Sequence, residues 1–130
     1  MTTHGNGALL FRNTMRIADG HLDAFKAAVD RAVSFVEEHA PQLMVNVYID
    51  EDRMLAYSFQ VYADSDAVRT HWRLSDPYIK EVMEHCTVER FDVYGTPDPD
   101  ITEALNRPGG TPVPGDRVPH FTGFVRLAPG

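Results

Sequence analysis

The sequence predicts an α+β fold: a four-stranded antiparallel sheet with two helices on one face. Three observations lead there. Segments that alternate apolar and polar residues, the period of a half-buried strand, recur along the first two thirds of the chain. Segments with helical spacing separate them in the order β-α-β-β-α-β, the split βαβ or ferredoxin-like arrangement. And 130 residues, 43% apolar, are enough for one domain that buries a core without crosslinks.

The elements follow in order. In Ala8–Ile17 the residues Leu9, Phe11, Asn13, Met15 and Ile17 share one face of a strand. Asp19-Gly20 turns the chain, with Asp19 as a helix N-cap. Leu22, Phe25, Val29, Ala32, Val33 and Val36 then recur at helical spacing, and Pro41 closes the helix. Gln42–Asp50 and Met54–Tyr62 alternate again across a short polar connection. Ser65 is positioned to cap a second helix reaching about Leu74, where Ser75-Asp76-Pro77 interrupts it and starts a new helical segment. Thr87–Tyr94 is the fourth strand. Residues 8–95 thus form the domain and residues 96–130 a C-terminal extension. From Gly95 onward the chain holds seven of its nine prolines and six of its nine glycines. The extension reads as a short helix over Asp100–Asn106, an extended linker over Arg107–Pro119 and a last strand over His120–Leu127.

Charge and cysteine usage narrow the function. A formal net charge of −7 repels phosphate backbones and anionic lipid, so neither nucleic acid nor a membrane is the expected partner. A lone cysteine, Cys86, makes no internal disulfide and no cysteine-based zinc site. There is no His-x-x-x-His pair, no glycine-rich phosphate loop and no Gly-x-Ser-x-Gly elbow, so no metal site is expected. With no apolar run long enough for a signal or a membrane span, the expected location is cytoplasmic.

The two sheet faces carry the remaining information. Leu9, Phe11, Met15 and Ile17 are expected beneath the helices, together with Leu43, Val45, Val47 and Ile49, with Leu55, Tyr57, Phe59 and Val61, and with Phe91 and Val93. Asn13 interrupts this stripe, and a buried amide needs a partner in the protein or in a ligand. The other face mixes Leu10, Met44, Tyr48, Tyr62, Val88 and Tyr94 with polar and charged residues. That composition suits a contact between two sheets, so a homodimer is expected.

With Asn13 on the first strand and the run VYADSDAVRTHWRLSDPYIKEV at Val61–Val82, the chain resembles the antibiotic biosynthesis monooxygenase group of the dimeric α/β barrel superfamily. The resemblance spans roughly Leu9–Tyr94. It implies oxidation of a small phenolic, quinol or polyketide-like aromatic molecule by O2 with no cofactor. It also implies Asn13, His71 and Trp72 as catalytic residues, with Met15, Tyr57, Phe59, Tyr78 and Val82 lining the substrate pocket. A haem-degrading branch of the superfamily carries its iron-ligating histidine about ten residues after the tryptophan; here Val82 stands there and His85 lies one turn further on. The alternatives to a monooxygenase are a non-catalytic ligand-binding or assembly protein and a ring isomerase or cyclase.

Overall fold

The first strand, β1 (Leu9–Ile17), is the middle of the sheet in the computed structural model, which describes residues 7–126. On one side it pairs antiparallel with β3 (Leu55–Tyr62), and β3 in turn pairs with β2 (Met44–Asp50). On the other side it pairs antiparallel with β4 (Cys86–Tyr94). The four strands and the two long helices, α1 (Leu22–His39) and α2 (Ser65–Met83), realise the expected order. Both helices lie over the face that carries Leu9, Phe11, Met15 and Ile17. Phe25 of α1 packs with Met15 and Ile17, and Val68 of α2 packs with Leu9 and Phe11.

The sheet is mixed and five-stranded, not four-stranded and antiparallel. A short β5 (Arg117–Val118) runs parallel to β4 and completes the order β2-β3-β1-β4-β5. The added strand thus falls before the expected His120–Leu127, whose residues up to 126 form no strand; Leu127 lies outside the described residues. What fixes the place is the free edge of β4. The N–H groups of Phe91, Val93 and Gly95 donate to the carbonyls of Pro114, Asp116 and Val118 at 2.8–3.0 Å. A buried edge needs such partners. Arg107–Pro119 is therefore no free linker. The helix α3 (Pro99–Asn106) also belongs to the core, burying Ile101 and Leu105 against Leu9, Phe11 and Val93.

Local chemistry moves three other boundaries. The α1 N-cap is His21, without a side-chain cap bond, and Asp19 stands outside the helix. Asp64 caps α2, its carboxylate accepting from Ala67 N at 2.8 Å, while Ser65 Oγ accepts from Asp98 N at the start of α3. And α2 runs unbroken through Pro77. The lost backbone bond costs on the order of 3 kcal/mol. It is offset by packing on both sides of the proline: Ser75 is fully buried and bonded to His71, and Tyr78 stacks on Phe35 of α1 at 4.5 Å.

The face assignment changes at two strands. Phe11 lies opposite Gln60, Asn13 opposite Ser58 and Met15 opposite Ala56, so the helix side of β3 is Ala56, Ser58, Gln60 and Tyr62. Tyr57, Phe59 and Val61 sit on the outer face, opposite Thr14, Arg12 and Leu10. Tyr62 makes the converse move and is 1% exposed, 5.0 Å from the Phe11 ring. Opposite Thr14 and Met15 of β1 a bulge at Glu89 of β4 shifts the register and carries Val88 to the helix side with Met15.

The outer face consequently presents Leu10, Met44, Tyr48, Tyr57, Phe59 and Val61, with Tyr48 58% exposed and edge-on to Phe59. A cavity of about 300 Å³ continues this face beneath the C-terminal segment, lined by Leu10, Val61, Tyr94, Val118 and Phe124. The same face holds Asp92, fully buried between Arg12 and Arg90 at 3.0 and 2.9 Å. Burial alone would push this carboxyl up. The Asp116 N–H and the two arginines outweigh it and hold the carboxyl below its usual range.

Docking of the extension depends on Gly115, where a Cβ would stand 1.7 Å from the Phe91 carbonyl oxygen. Gly115→Ala is expected to dislodge β5 and lower the melting temperature by several degrees more than Gly110→Ala, which meets no atom and bears only the strain of its left-handed backbone at φ +86°. Thermal denaturation of the two variants side by side checks this; equal melting temperatures would mean that β5 does not contribute.

Candidate functional site

The apolar core is divided. One cluster holds Leu9, Phe11, Tyr62, Val68, Phe91, Val93, Ile101 and Leu105. The other holds Met15, Ile17, Phe25, Ala56 and Cys86, with Val29, Ile49, Val82 and Val88 packed against it. Between Phe11 and Met15 on β1 comes Asn13, and the residue opposite it on β3 is Ser58, 6% exposed. A polar belt therefore crosses the sheet between the two clusters, beneath the helices.

β3 extends the belt toward its C-terminal end. The Tyr62 hydroxyl donates to Gln60 Oε1, and Gln60 Nε2 donates to Ser58 Oγ at 3.2 Å. Strand periodicity makes the chain possible: residues two apart point the same way. Helix periodicity supplies the upper side. His71 and Ser75, four residues apart on α2, face the sheet together, Nδ1 of the ring 2.9 Å from Ser75 Oγ. The His71 ring also lies against Tyr62, centroids 5.9 Å apart.

Some polar atoms of this region have no protein partner. Asn13 Oδ1 is buried and unbonded, and the buried side-chain amide of Gln42 lies beside the Tyr62 phenol without a well-aligned hydrogen bond. Buried groups left so cost about 1–3 kcal/mol each unless something binds them. Electrostatics are equally specific. Burial lowers the His71 pKa to about 4, which keeps the ring neutral at pH 7 and leaves one ring nitrogen an acceptor. Burial raises the Tyr62 phenol, against a smaller opposing effect of the Gln42 amide beside it, so Tyr62 stays protonated. The site thus offers amides, hydroxyls and a neutral imidazole.

Of the residues singled out in the sequence, Asn13 and His71 belong to this belt, and Trp72 packs against the first cluster next to it. Met15 and Val82 lie in the second cluster. Tyr78 is engaged with Phe35. Tyr57 and Phe59 are on the opposite side of the sheet. His85 is paired with His21, their Nδ1 atoms 3.0 Å apart. Sequence reasoning missed Ser58, Gln60, Tyr62, Ser75 and Gln42. The signal for the first three is present as the alternate positions of β3, but the alternation by itself puts Gln60 and Tyr62 on the face expected to contact a second sheet. Among the described residues no group of three or more His, Cys, Asp or Glu is arranged to hold a metal ion, and no helix is long and apolar enough to cross a membrane.

Known proteins can now be set beside this geometry. No protein-family model and no curated protein sequence matches the chain. Solved structures do. MupZ from Pseudomonas fluorescens aligns with a TM-score of 0.70 at 17% identity, covering 93% of this chain and 96% of its own. SnoaB, a cofactor-independent oxygenase from Streptomyces nogalater, aligns with a TM-score of 0.60 at 16% identity, covering 69% and 93%. A candidate antibiotic biosynthesis monooxygenase from Chloroflexus aurantiacus gives 0.58 at 16%, covering 66% and 89%. This chain has the fold of antibiotic biosynthesis monooxygenase-like proteins. The MupZ alignment is long enough to take in most of the C-terminal extension, which the resemblance read from sequence did not reach.

The buried imidazole predicts a pH dependence. An unfolded histidine titrates near 6.5, whereas folded His71 titrates at about 4. Between these values the unfolded chain binds the extra proton, so stability is fully present above about pH 6.5 and falls toward pH 4, by a few kcal/mol in all. His71→Gln should flatten that part of the curve. The Asp92 contribution has the opposite origin, a lowered carboxyl, and is lost only at more acid pH. Chemical denaturation at steps from pH 7 to 4 measures this; parallel curves for wild type and variant would show that His71 is not buried neutral.

Proposed function

We propose that the chain is a cofactor-independent monooxygenase acting on a small phenolic, quinol or polyketide-like aromatic molecule, in the antibiotic biosynthesis monooxygenase group. The observation that carries the reading is the polar belt between two apolar clusters, with buried amide atoms that lack a protein partner. The cofactor-independent oxygenase among proteins of this fold supports it. In this reading an aromatic ring sits between the apolar clusters, with its hydroxyl at the belt.

The chemistry assigns a role to each group. Gln42 Nε2 donates to the substrate oxygen and stabilises the anion as the phenol ionises, while Asn13 Oδ1 accepts from a substrate hydroxyl and orients the ring. His71 accepts the proton. Its low pKa makes it a weak base in the empty site, but a phenolate forming beside it raises that pKa by opposite-charge attraction. The anion passes an electron to O2, the radical pair recombines to a hydroperoxide, and water leaves. One oxygen atom ends in the product carbonyl and the other in water, all electrons coming from substrate. The apolar clusters keep bulk water from the radical pair. The weak basicity of His71 also favours a second reading, a protein that binds such a ring without turning it over.

Oxygen uptake with a panel of hydroquinones and anthrones, no cofactor added, separates the two. Asn13→Ala is expected to lower turnover about 10²–10³-fold. Because the amide oxygen has no protein partner, the melting temperature should stay level or rise slightly. A lowered melting temperature with turnover intact would make Asn13 structural. Oxygen uptake absent for every substrate that binds would leave the binding reading.

The assembly belongs to the same proposal. We propose that two copies pack outer sheet face to outer sheet face as a dimeric α/β barrel, covering Tyr48, Tyr57 and Phe59. Replacing Tyr48 and Phe59 together by Asp puts unpaired charges in that contact and should yield monomers by light scattering. A monomeric wild-type protein at micromolar concentration would exclude it.

A further inference from the structure

We infer that α3 is the end wall of the ligand pocket, and that Ile101 and Leu105 set the size of the ring system it admits. The inference rests on the reading of the polar belt as a ligand site. Ile101 and Leu105, 0% and 4% exposed, fill the same cluster as Tyr62, against which Trp72 also packs. The apolar cluster at the Tyr62 end of the belt thus includes both α3 side chains. No sheet hydrogen bond holds this helix; side chains do. Arg69 of α2 grips Asp98 and Asp100 at 2.6 and 2.7 Å, and Ser65 Oγ accepts from Asp98 N at 2.9 Å. At the other end Arg117 of β5 bonds Asn106 Oδ1 at 3.0 Å. SnoaB aligns over 93% of its length yet matches 69% of this chain, about the share that β1 to β4 make up. The fold therefore exists in a version that leaves about a third of this chain without a counterpart. A helix added over an apolar cluster takes up volume that a ligand would otherwise use.

Shortening a wall residue returns that volume. A buried Leu→Ala change leaves a cavity that stays open to apolar ligands, and here it adjoins Tyr62 and Trp72. Trp72 is the chain's single tryptophan, so its fluorescence reports on this end of the site. The experiment titrates the full-length protein with a two-ring naphthohydroquinone and a three-ring anthrone under nitrogen, following Trp72 quenching. Wild type is expected to prefer the two-ring probe, and Leu105→Ala to shift the affinity ratio toward the three-ring probe about tenfold. Val29→Ala, which opens space in the other cluster, should leave the ratio unchanged. If Leu105→Ala does not fold, Ile101→Val, smaller by one methylene, should shift the ratio in the same direction by less. An unchanged ratio in a folded wall variant, or the same gain in Val29→Ala, overturns the role of α3 and leaves the ligand site standing. Quenching by neither probe in any of the proteins overturns both.

Discussion

The register of β3 on β1 governs both faces of this molecule. β1 has no choice of face: Leu9, Phe11, Met15 and Ile17 are each under 5% exposed, and they supply core to both long helices. Pairing Phe11 with Gln60 and Asn13 with Ser58 then sends the small and polar side of β3 inward. A slip of one residue would exchange the two sides completely. The observed register is held at its ends by size. Ala56, fully buried, leaves room for Phe25 of α1, and Tyr62 packs its ring on Phe11 while its hydroxyl finds Gln60. Large side chains at Tyr57 and Phe59 have no such place under the helices.

Two consequences follow from one constraint. Inside, the core is parted by amides, hydroxyls and an imidazole, some of them without protein partners. Such a belt weakens the fold relative to an apolar filling, and its natural compensation is a bound molecule. Outside, an aromatic and aliphatic surface is left on a sheet whose neighbouring polar groups have been neutralised. Asp92 draws Arg12 and Arg90 onto itself, so these charges do not project freely into the apolar area. A surface so prepared suits contact with a second surface of its own kind.

The C-terminal extension is tied into the fold in a different currency. β5 satisfies the edge of β4, and Gly115 permits the close approach. α3 contributes two core side chains to the cluster nearest Tyr62. Proline and glycine, which signal a linker by composition, here shape a segment that must turn tightly around α3 and then lie flat along a strand.

The sequence by itself determined the element order from β1 to β4, the first long helix and the location of Asn13 in an apolar strand stripe, because periodicity and turn chemistry are local properties. It placed His71 and Trp72 on the second helix for the same reason. It misassigned the two sides of β3 and could not connect Ser58, Gln60 and Tyr62 to Asn13 and His71. Alternation marks that a strand has two faces; which of them turns inward depends on the strand paired beside it. The bulge that turns Val88 inward and the edge that captures Arg117–Val118 are likewise properties of pairing between segments distant in sequence. Tertiary structure alone decided them, because a residue's neighbours across a sheet are set by hydrogen-bond register and packing volume, neither of which is written in any one segment.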